Sequence, residues 1–448
     1  MDTTINRRQF ILGMLAAPLS TMAVAGDVAG GVAGGVAGGV AGESLQSAGL
    51  DAVGSSMLAW APGFLDIHHI ATGRGNATFV IMPDGTSLLI DAGATADGLD
   101  TSAAPRPSAQ RRPGEWIGRY VQRHLRATKR GGLDYVLVTH LHPDHTGDVN
   151  ESSPPSAKGA YQLSGITDVA EIVPVATLID RAYPGYDYPV APNGRFASNY
   201  LAFVQSRIQT GQKVERFMVG RNDQFTSRNK TAENGSGHQA GFDIRNLAAN
   251  GQVWTGKGEQ TRMLFPALNT LTLKDYPNEN VCSTAIRIGY GNFAYFTAGD
   301  LTSYTFDGDA PWRDVLTAAA RASGPVDVST ADHHGMFDGI SADSVRILRP
   351  KAWIIPSWHI SHPDQLQLER MFSERLYPGK REVFATSIMH ENFLANRRLI
   401  SRLSSRDGHV IVRVAPGGKT FTILVTDNAD EEDRIKLKFG PYLSGSAS

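Results

Sequence analysis

The sequence predicts an α/β protein in which two β-sheets pack face to face with helices on their outer faces. Two observations lead there. Strand-like segments fall into two runs, one before residue 140 and one after residue 280, and each run is closed by amphipathic helices. A layer that is apolar on one side must bury that side against another layer, and two such half-layers satisfy each other. The composition allows a core of that size. Of 448 residues, 41% are hydrophobic and 19% charged, which excludes a disordered charged-tail protein.

In the first run Asp66–Ile70, Ala77–Met82 and Ser87–Asp91 read as strands. Pro83-Asp84-Gly85-Thr86 is a hairpin turn between the last two. Gly114–Lys129 places Trp116, Ile117, Tyr120, Val121 and Leu125 on one helical face, and Leu133–Thr139 is a buried strand that ends at a histidine. Residues 150–275 are rich in Pro, Gly, Asn, Ser and Tyr. Only the strand Val175–Ile179 and the helix Ser198–Gln209 stand out there, so the stretch reads as an insertion. The second run has strands at Cys282–Ile288 and Phe293–Thr297. Helix and strand then alternate through Trp312–Ala322, Val326–Ser329, Ala342–Leu348, Ala352–Pro356, Asp364–Ser373 and Val383–Thr386. His409–Ala415 and Lys419–Thr426 form a closing hairpin around Pro416-Gly417-Gly418, and 431–448 reads as a tail.

Residues 1–25 are set apart from the fold. Arg7-Arg8 precedes the apolar stretch Ile11–Val24 and the small residues Ala23-Val24-Ala25, the pattern of a cleaved export signal. It resembles twin-arginine signal peptides, which implies passage through the twin-arginine export machinery to the periplasm or exterior of a bacterium. An apolar run of about 14 residues falls short of the ~20 needed to span a bilayer, so no stable membrane insertion is expected. Residues 26–63 begin with a Gly-Gly-Val-Ala repeat and read as a flexible linker. The body is expected over 64–430.

The formal charge of −1 argues against a general polyanion binder. A single cysteine, Cys282, excludes a disulfide framework and a Cys-rich metal site, so metal binding must fall to the 13 histidines and to carboxylates. Four potential ligands stand within six residues in His140-Leu141-His142-Pro143-Asp144-His145, directly after a buried strand. A loop can turn that many side chains toward one point, and imidazole with carboxylate suits zinc, iron or manganese.

This His-x-His-x-Asp-His motif resembles the metallo-β-lactamase fold superfamily, an αββα sandwich of two mixed sheets carrying one or two metals. Other segments extend the resemblance in order: Leu88-Leu89-Ile90-Asp91-Ala92-Gly93, Phe296-Thr297-Ala298-Gly299-Asp300 and Ala331-Asp332-His333-His334-Gly335. Within the superfamily, Gly73-Arg74-Gly75-Asn76-Ala77, Asn278-Glu279-Asn280 with Ser283, and the His-His-Gly at 333–335 resemble the branch of ComEC-like nucleases and phosphorylcholine esterases. Asn76 stands where relatives often have aspartate.

The resemblance implies two divalent ions, zinc first with manganese or iron as alternatives. His140, His142 and a third-motif ligand would hold one ion. Asp144, His145 and His333 or His334 would hold the other, with Asp300 bridging. For the third-motif ligand Asp180, at the end of its strand, is favoured over His238; the alternative for Asp180 is an ordinary pair with Arg181 or a helix cap. Hydroxide activated by the two metals would be the nucleophile. Asp144, the unligated histidine of the 333–334 pair (His334 if His333 binds metal) and His362 are the candidate catalytic groups. His68 and His69 alternate, so one borders the site, while His124, His390 and His409 read as structural. Arg181, Tyr183, Tyr186 and Tyr188 either wall a cleft or form a solvated loop. The expected activity is hydrolysis of a phosphoester or phosphodiester of a small molecule. Lactone, β-lactam or other ester hydrolysis and a nuclease are the alternatives, and a non-catalytic binding protein is disfavoured by the intact ligand set.

Overall fold

The structure is a computed structural model that describes residues 51–95, 100–229, 241–305 and 308–445. The leader, most of the glycine-rich linker and His238 lie outside the described residues. Strands β1 (Leu65–His69), β2 (Thr78–Ile81), β3 (Ser87–Ile90), β4 (Leu133–Val138), β5 (Val175–Asp180) and β6 (Lys213–Arg216) belong to one sheet. Strands β7 (Phe242–Ala249), β8 (Gln252–Trp254), β9 (Thr261–Met263), β10 (Ala285–Tyr290), β11 (Phe293–Thr297), β12 (Val328–Thr330), β13 (Ala352–Ile355) and β14 (Glu382–Ala385) form the other. The chain then returns to the first sheet with β15 (His409–Val414), β16 (Thr420–Thr426) and β17 (Ile435–Leu443).

The first sheet runs β17-β16-β15-β1-β2-β3-β4-β5-β6 and the second β14-β13-β12-β11-β10-β7-β8-β9. Both are mixed: β3 to β6 are mutually parallel, as are β11 to β14, and the remaining pairs are antiparallel. The central parallel strands β4 and β13 are largely apolar because both of their faces are covered. In β4, Tyr135 and Leu137 join the core between the sheets. Val136 and Val138 pack outward with Ile117 and Val121 of helix α1 (Pro113–Leu125). The second sheet repeats the arrangement, with Ile354 inward and Trp353 and Ile355 outward.

Two expected segments differ. The stretch read as an insertion is part of the sandwich, since 150–275 supplies β5 and β6 to one sheet and β7 to β9 to the other. These strands are short or carry alternating polar residues, as befits sheet margins, and therefore lack the apolar runs that mark central strands. The presumed tail contains β17, which pairs with β16, and the last residues of the presumed linker bond to it through Gly54 N to Ile435 O, 2.9 Å. Cys282 is fully buried, on a short turn (Asn280–Cys282) ahead of β10 rather than at its start, and burial pushes its thiol up to about 12. Among the described residues no helix is long and apolar enough to cross a membrane.

Candidate metal centre

The carboxyl ends of the parallel strands of both sheets converge, and every candidate ligand loop leaves from one of them, the usual place for a site in such sheets. Asp91 follows β3, His140 follows β4, Asp300 follows β11 and His334 follows β12. Asp91 holds the metal loop. Its carboxylate accepts from Thr139 N (2.8 Å), Thr139 Oγ1 (2.8 Å), Asn76 Nδ2 (3.1 Å) and His145 Nδ1–H (2.7 Å). Asn76 thus has a role that an aspartate could not fill unprotonated, since a second carboxylate would face Asp91 with no proton to give.

Hydrogen bonds behind the imidazoles fix where their lone pairs point. His145 gives Nδ1–H to Asp91, and His334 gives Nδ1–H to the Pro356 carbonyl at 2.9 Å. Thr139 Oγ1 already donates to Asp91, so at 3.2 Å from His140 Nδ1 it can only accept. Each ring, when neutral, therefore turns an unprotonated Nε2 inward. His145 Nε2 and His334 Nε2 face each other at 3.3 Å, with Asp300 Oδ1 at 3.2 Å from the first and Asp144 Oδ2 at 3.0 Å from the second. Four electron pairs converging this closely repel unless a cation or protons lie between them. Ligands 2.0–2.1 Å from a tetrahedral zinc are about 3.3 Å apart, so the donor set fits a metal of that size. Asp144, His145, Asp300 and His334 form one such group; His140, His142 and Asp300 form a second, with His140 Nε2 and His142 Nδ1 3.1 Å apart.

The electrostatics agree. Burial opposes charge on His145, yet Asp300, Asp144 and Asp91 raise its pKa well above the usual imidazole range. Burial likewise opposes charge on His334, but Asp300 and Asp144 carry it to about 10. Burial works against the Asp300 carboxylate too, and His145, His334, His333 and His140 overcome it to hold its pKa well down. The donor set draws in positive charge as protons, and a divalent ion would displace them.

Three expectations change. Asp180 is not in either group. It is fully buried, and its carboxylate is consumed by Ala182 N (2.8 Å), Tyr183 N (2.7 Å), Tyr186 OH (2.6 Å) and Tyr200 OH (2.8 Å), so no lone pair remains for an ion. The second change is that the group with Asp144 and His145 takes His334 rather than His333. Both residues adopt left-handed backbone, φ 51° at His333 and 54° at His334, which bends the chain sharply after β12 and turns the second ring inward. His333 instead gives Nδ1–H to Asp338 at 2.6 Å and lies 3.2 Å from Asn280 Nδ2, with Nε2 3.8 Å from Asp300 Oδ2. Third, His362 stacks on His334, ring centroids 4.8 Å apart, and is almost wholly shielded, so it backs a ligand rather than opening to substrate. His68 and His69 do point to opposite faces, but one meets Tyr120 and the other Thr78 and Tyr295, away from both groups.

One functional pair escaped the sequence. Arg181 is buried and clamps Glu279 at 2.7 and 2.5 Å, while Glu279 Oε1 accepts from Leu141 N at 2.7 Å, between His140 and His142. Arg181 and Tyr186 are thus internal supports, not cleft walls. The Asn-Glu-Asn segment marked Glu279 in the sequence, but nothing marked Arg181 as its partner 98 residues away.

Residues 71–153, which hold Asp91 and the whole metal loop, match the family described as the Metallo-beta-lactamase superfamily. Over that segment the chain is similar to that superfamily. The two mixed sheets with their helices are consistent with the metallo-beta-lactamase fold. Among solved structures the chain is similar to a mutant of the CmlA beta-hydroxylase (13% identity, TM-score 0.36), covering 80% of this chain and 54% of that one. The chain therefore spans about half the length of that protein. It is also similar to a diphosphatase from the PhnP family (12%, TM-score 0.31, 79% and 98% covered). A Cronobacter sakazakii metallo-beta-lactamase with a HARLDQ motif mutation is a third (11%, TM-score 0.27, 62% and 78%). No curated protein matches the chain.

Proposed function

We propose that this protein is a two-metal hydrolase of phosphoesters or phosphodiesters, of the ComEC-like and phosphorylcholine-esterase-like branch. The observation that carries the reading is the pair of donor groups sharing Asp300, with three imidazole lone pairs fixed by hydrogen bonds from behind. His140, His142 and Asp300 would hold one ion and Asp144, His145, Asp300 and His334 the other, with zinc the first candidate. Such a pair supplies a water acid enough to attack near neutral pH and positive charge for the reacting oxygens.

The chain's own groups do the rest. Asp91, Thr139 and the Pro356 carbonyl set the ring orientations before substrate arrives, so no reorganisation is needed during reaction. Arg181 and Glu279 fix the backbone between His140 and His142. His333 is the proton donor to the leaving group. Burial opposes its charge, but Asp300 and Asp338 raise its pKa, and Asp338 holds its Nδ1 so that Nε2 faces the centre. Export through the twin-arginine route belongs to the same proposal and rests on Arg7-Arg8 and the apolar stretch after them.

The test is metal analysis of purified protein followed by assays on bis-p-nitrophenyl phosphate, a lactone and a β-lactam. About two ions per chain and turnover of the phosphodiester are expected. Faster turnover of the lactone or lactam would move the reading to acyl chemistry, and absence of metal after growth in supplemented medium would end it.

A further inference from the structure

Beside the metal groups three loops meet. Asn76 N bonds to Asp144 O (2.8 Å) and Thr95 N to Arg74 O (2.8 Å), which fastens the 72–76 loop to the metal loop. On its other side Arg106 N bonds to Thr72 O (2.9 Å), so the 101–106 segment follows it. That segment in turn bonds to the 358–362 loop through Ala103 N to Trp358 O (2.7 Å) and Ile360 N to Thr101 O (2.8 Å). Trp358 closes the ring, its indole lying edge-on to the His334 imidazole with centroids 5.9 Å apart.

Arg74 in this ring is anomalous. It is only 7% exposed, yet its Nε and Nη1 meet no acceptor among the described residues, and no carboxylate among them pairs with it. A guanidinium cannot escape by giving up its proton, and burying it unpaired is costly. The same ring leaves Thr72 Oγ1, Ser102 Oγ and Trp358 Nε1 buried and unpartnered. All four side chains can donate, two of them can only donate, and none supplies a carboxylate. Orphaned buried donors are rare in native proteins, and their gathering on three adjoining loops at the edge of a reaction centre needs a cause.

We infer that Arg74, with Thr72, Ser102 and Trp358, forms a subsite for an anionic oxygen group of the substrate, a phosphate or a carboxylate. The inference rests on the proposed hydrolase reading for the word substrate, but the anion site itself does not. Arginine offers two parallel N–H groups to such a group, and charge-assisted bonds of this kind are the strong ones. The subsite would restrict the enzyme to substrates that carry negative charge beside the scissile bond.

The test uses the full chain, metal-loaded and after chelation, with inorganic phosphate and acetate as probes and Arg74→Met and Arg74→Lys as variants. Phosphate should raise the melting temperature of the chelated wild type, since only the folded state binds it. Arg74→Met should weaken phosphate binding by about 10- to 100-fold by calorimetry, with Arg74→Lys between. Without anion, Arg74→Met should melt no lower than wild type, because an unpaired buried charge has been removed; metal content should not change. A response to acetate equal to that of phosphate would assign the subsite to carboxylates. Equal phosphate binding by Arg74→Met and wild type, or a lower melting temperature of Arg74→Met without anion, would overturn the subsite. Loss of metal and of phosphodiester turnover with Arg74-dependent phosphate binding intact would overturn the hydrolase reading alone.

Discussion

Gly93→Ala tests how the second half of the Asp-Ala-Gly segment supports the metal loop. Gly93 does not need a left-handed backbone, so alanine is conformationally allowed there. What is lacking is space. A Cβ on Gly93 would overlap the carbonyl of Asp144, and the amide of Asn76 stands only 2.9 Å away on another side. Both obstacles are backbone atoms and cannot rotate aside. For ordinary contact the Asp144 carbonyl must retreat by more than about 1 Å in an interior packed to crystal density. That shift breaks the Asn76 N to Asp144 O bond of 2.8 Å and carries Asp144 Oδ2 from its position 3.0 Å from His334. Metal ligands tolerate only about 0.2 Å. Gly93→Ala should therefore fold, with a loss of about 1–3 kcal/mol from overpacking, yet lose at least about 10-fold in affinity for the ion of the Asp144–His334 group. The assay is titration of chelated protein with zinc, followed by calorimetry, beside urea unfolding of the same samples. Wild-type metal affinity in a folded Gly93→Ala protein would refute the argument that this close approach positions Asp144.

Further outcomes follow from other contacts. Asp180→Asn should keep the wild-type metal content and lose about 1–3 kcal/mol of stability through its four donors, whereas Asp300→Asn should lower the metal content, since both candidate donor groups include it, as metal analysis after dialysis would show. Arg181→Met leaves Glu279 buried without its cation and should cost about 3–5 kcal/mol in urea unfolding; adding Glu279→Leu should cost less than the separate effects combined. Burial lowers His69 and His409 to about 3. Unfolded, they titrate near 6.5, so below that pH the unfolded chain binds more protons and stability falls as pH drops from 6.5 toward 3. Between pH 7.5 and 5.5 the metal-loaded protein should lose about 1.4 kcal/mol for each of the two, and His409→Gln should remove one such share.

The chemistry was legible in residue type and spacing. His140, His142, Asp144 and His145 fall within six residues after a buried strand, and a short loop cannot help presenting them together. Central strands were equally legible, because Leu133–Val138 and Phe293–Thr297 are covered on both faces and so are largely apolar. The sheet margins were not, since β6, β8 and β9 are only three or four residues long, too short to show a period, and are held by backbone pairing with neighbouring strands. Between chemically equal candidates only the folded arrangement could choose. Asp180 and Asp300 both end strands, but two tyrosines and two amides fill the first while the second meets four histidines. His333 and His334 are adjacent and identical in type, and only two left-handed residues and the Pro356 carbonyl turn the second ring inward. Residue type fixes which bonds a side chain can make; which of them it does make depends on groups that meet only when the chain is folded.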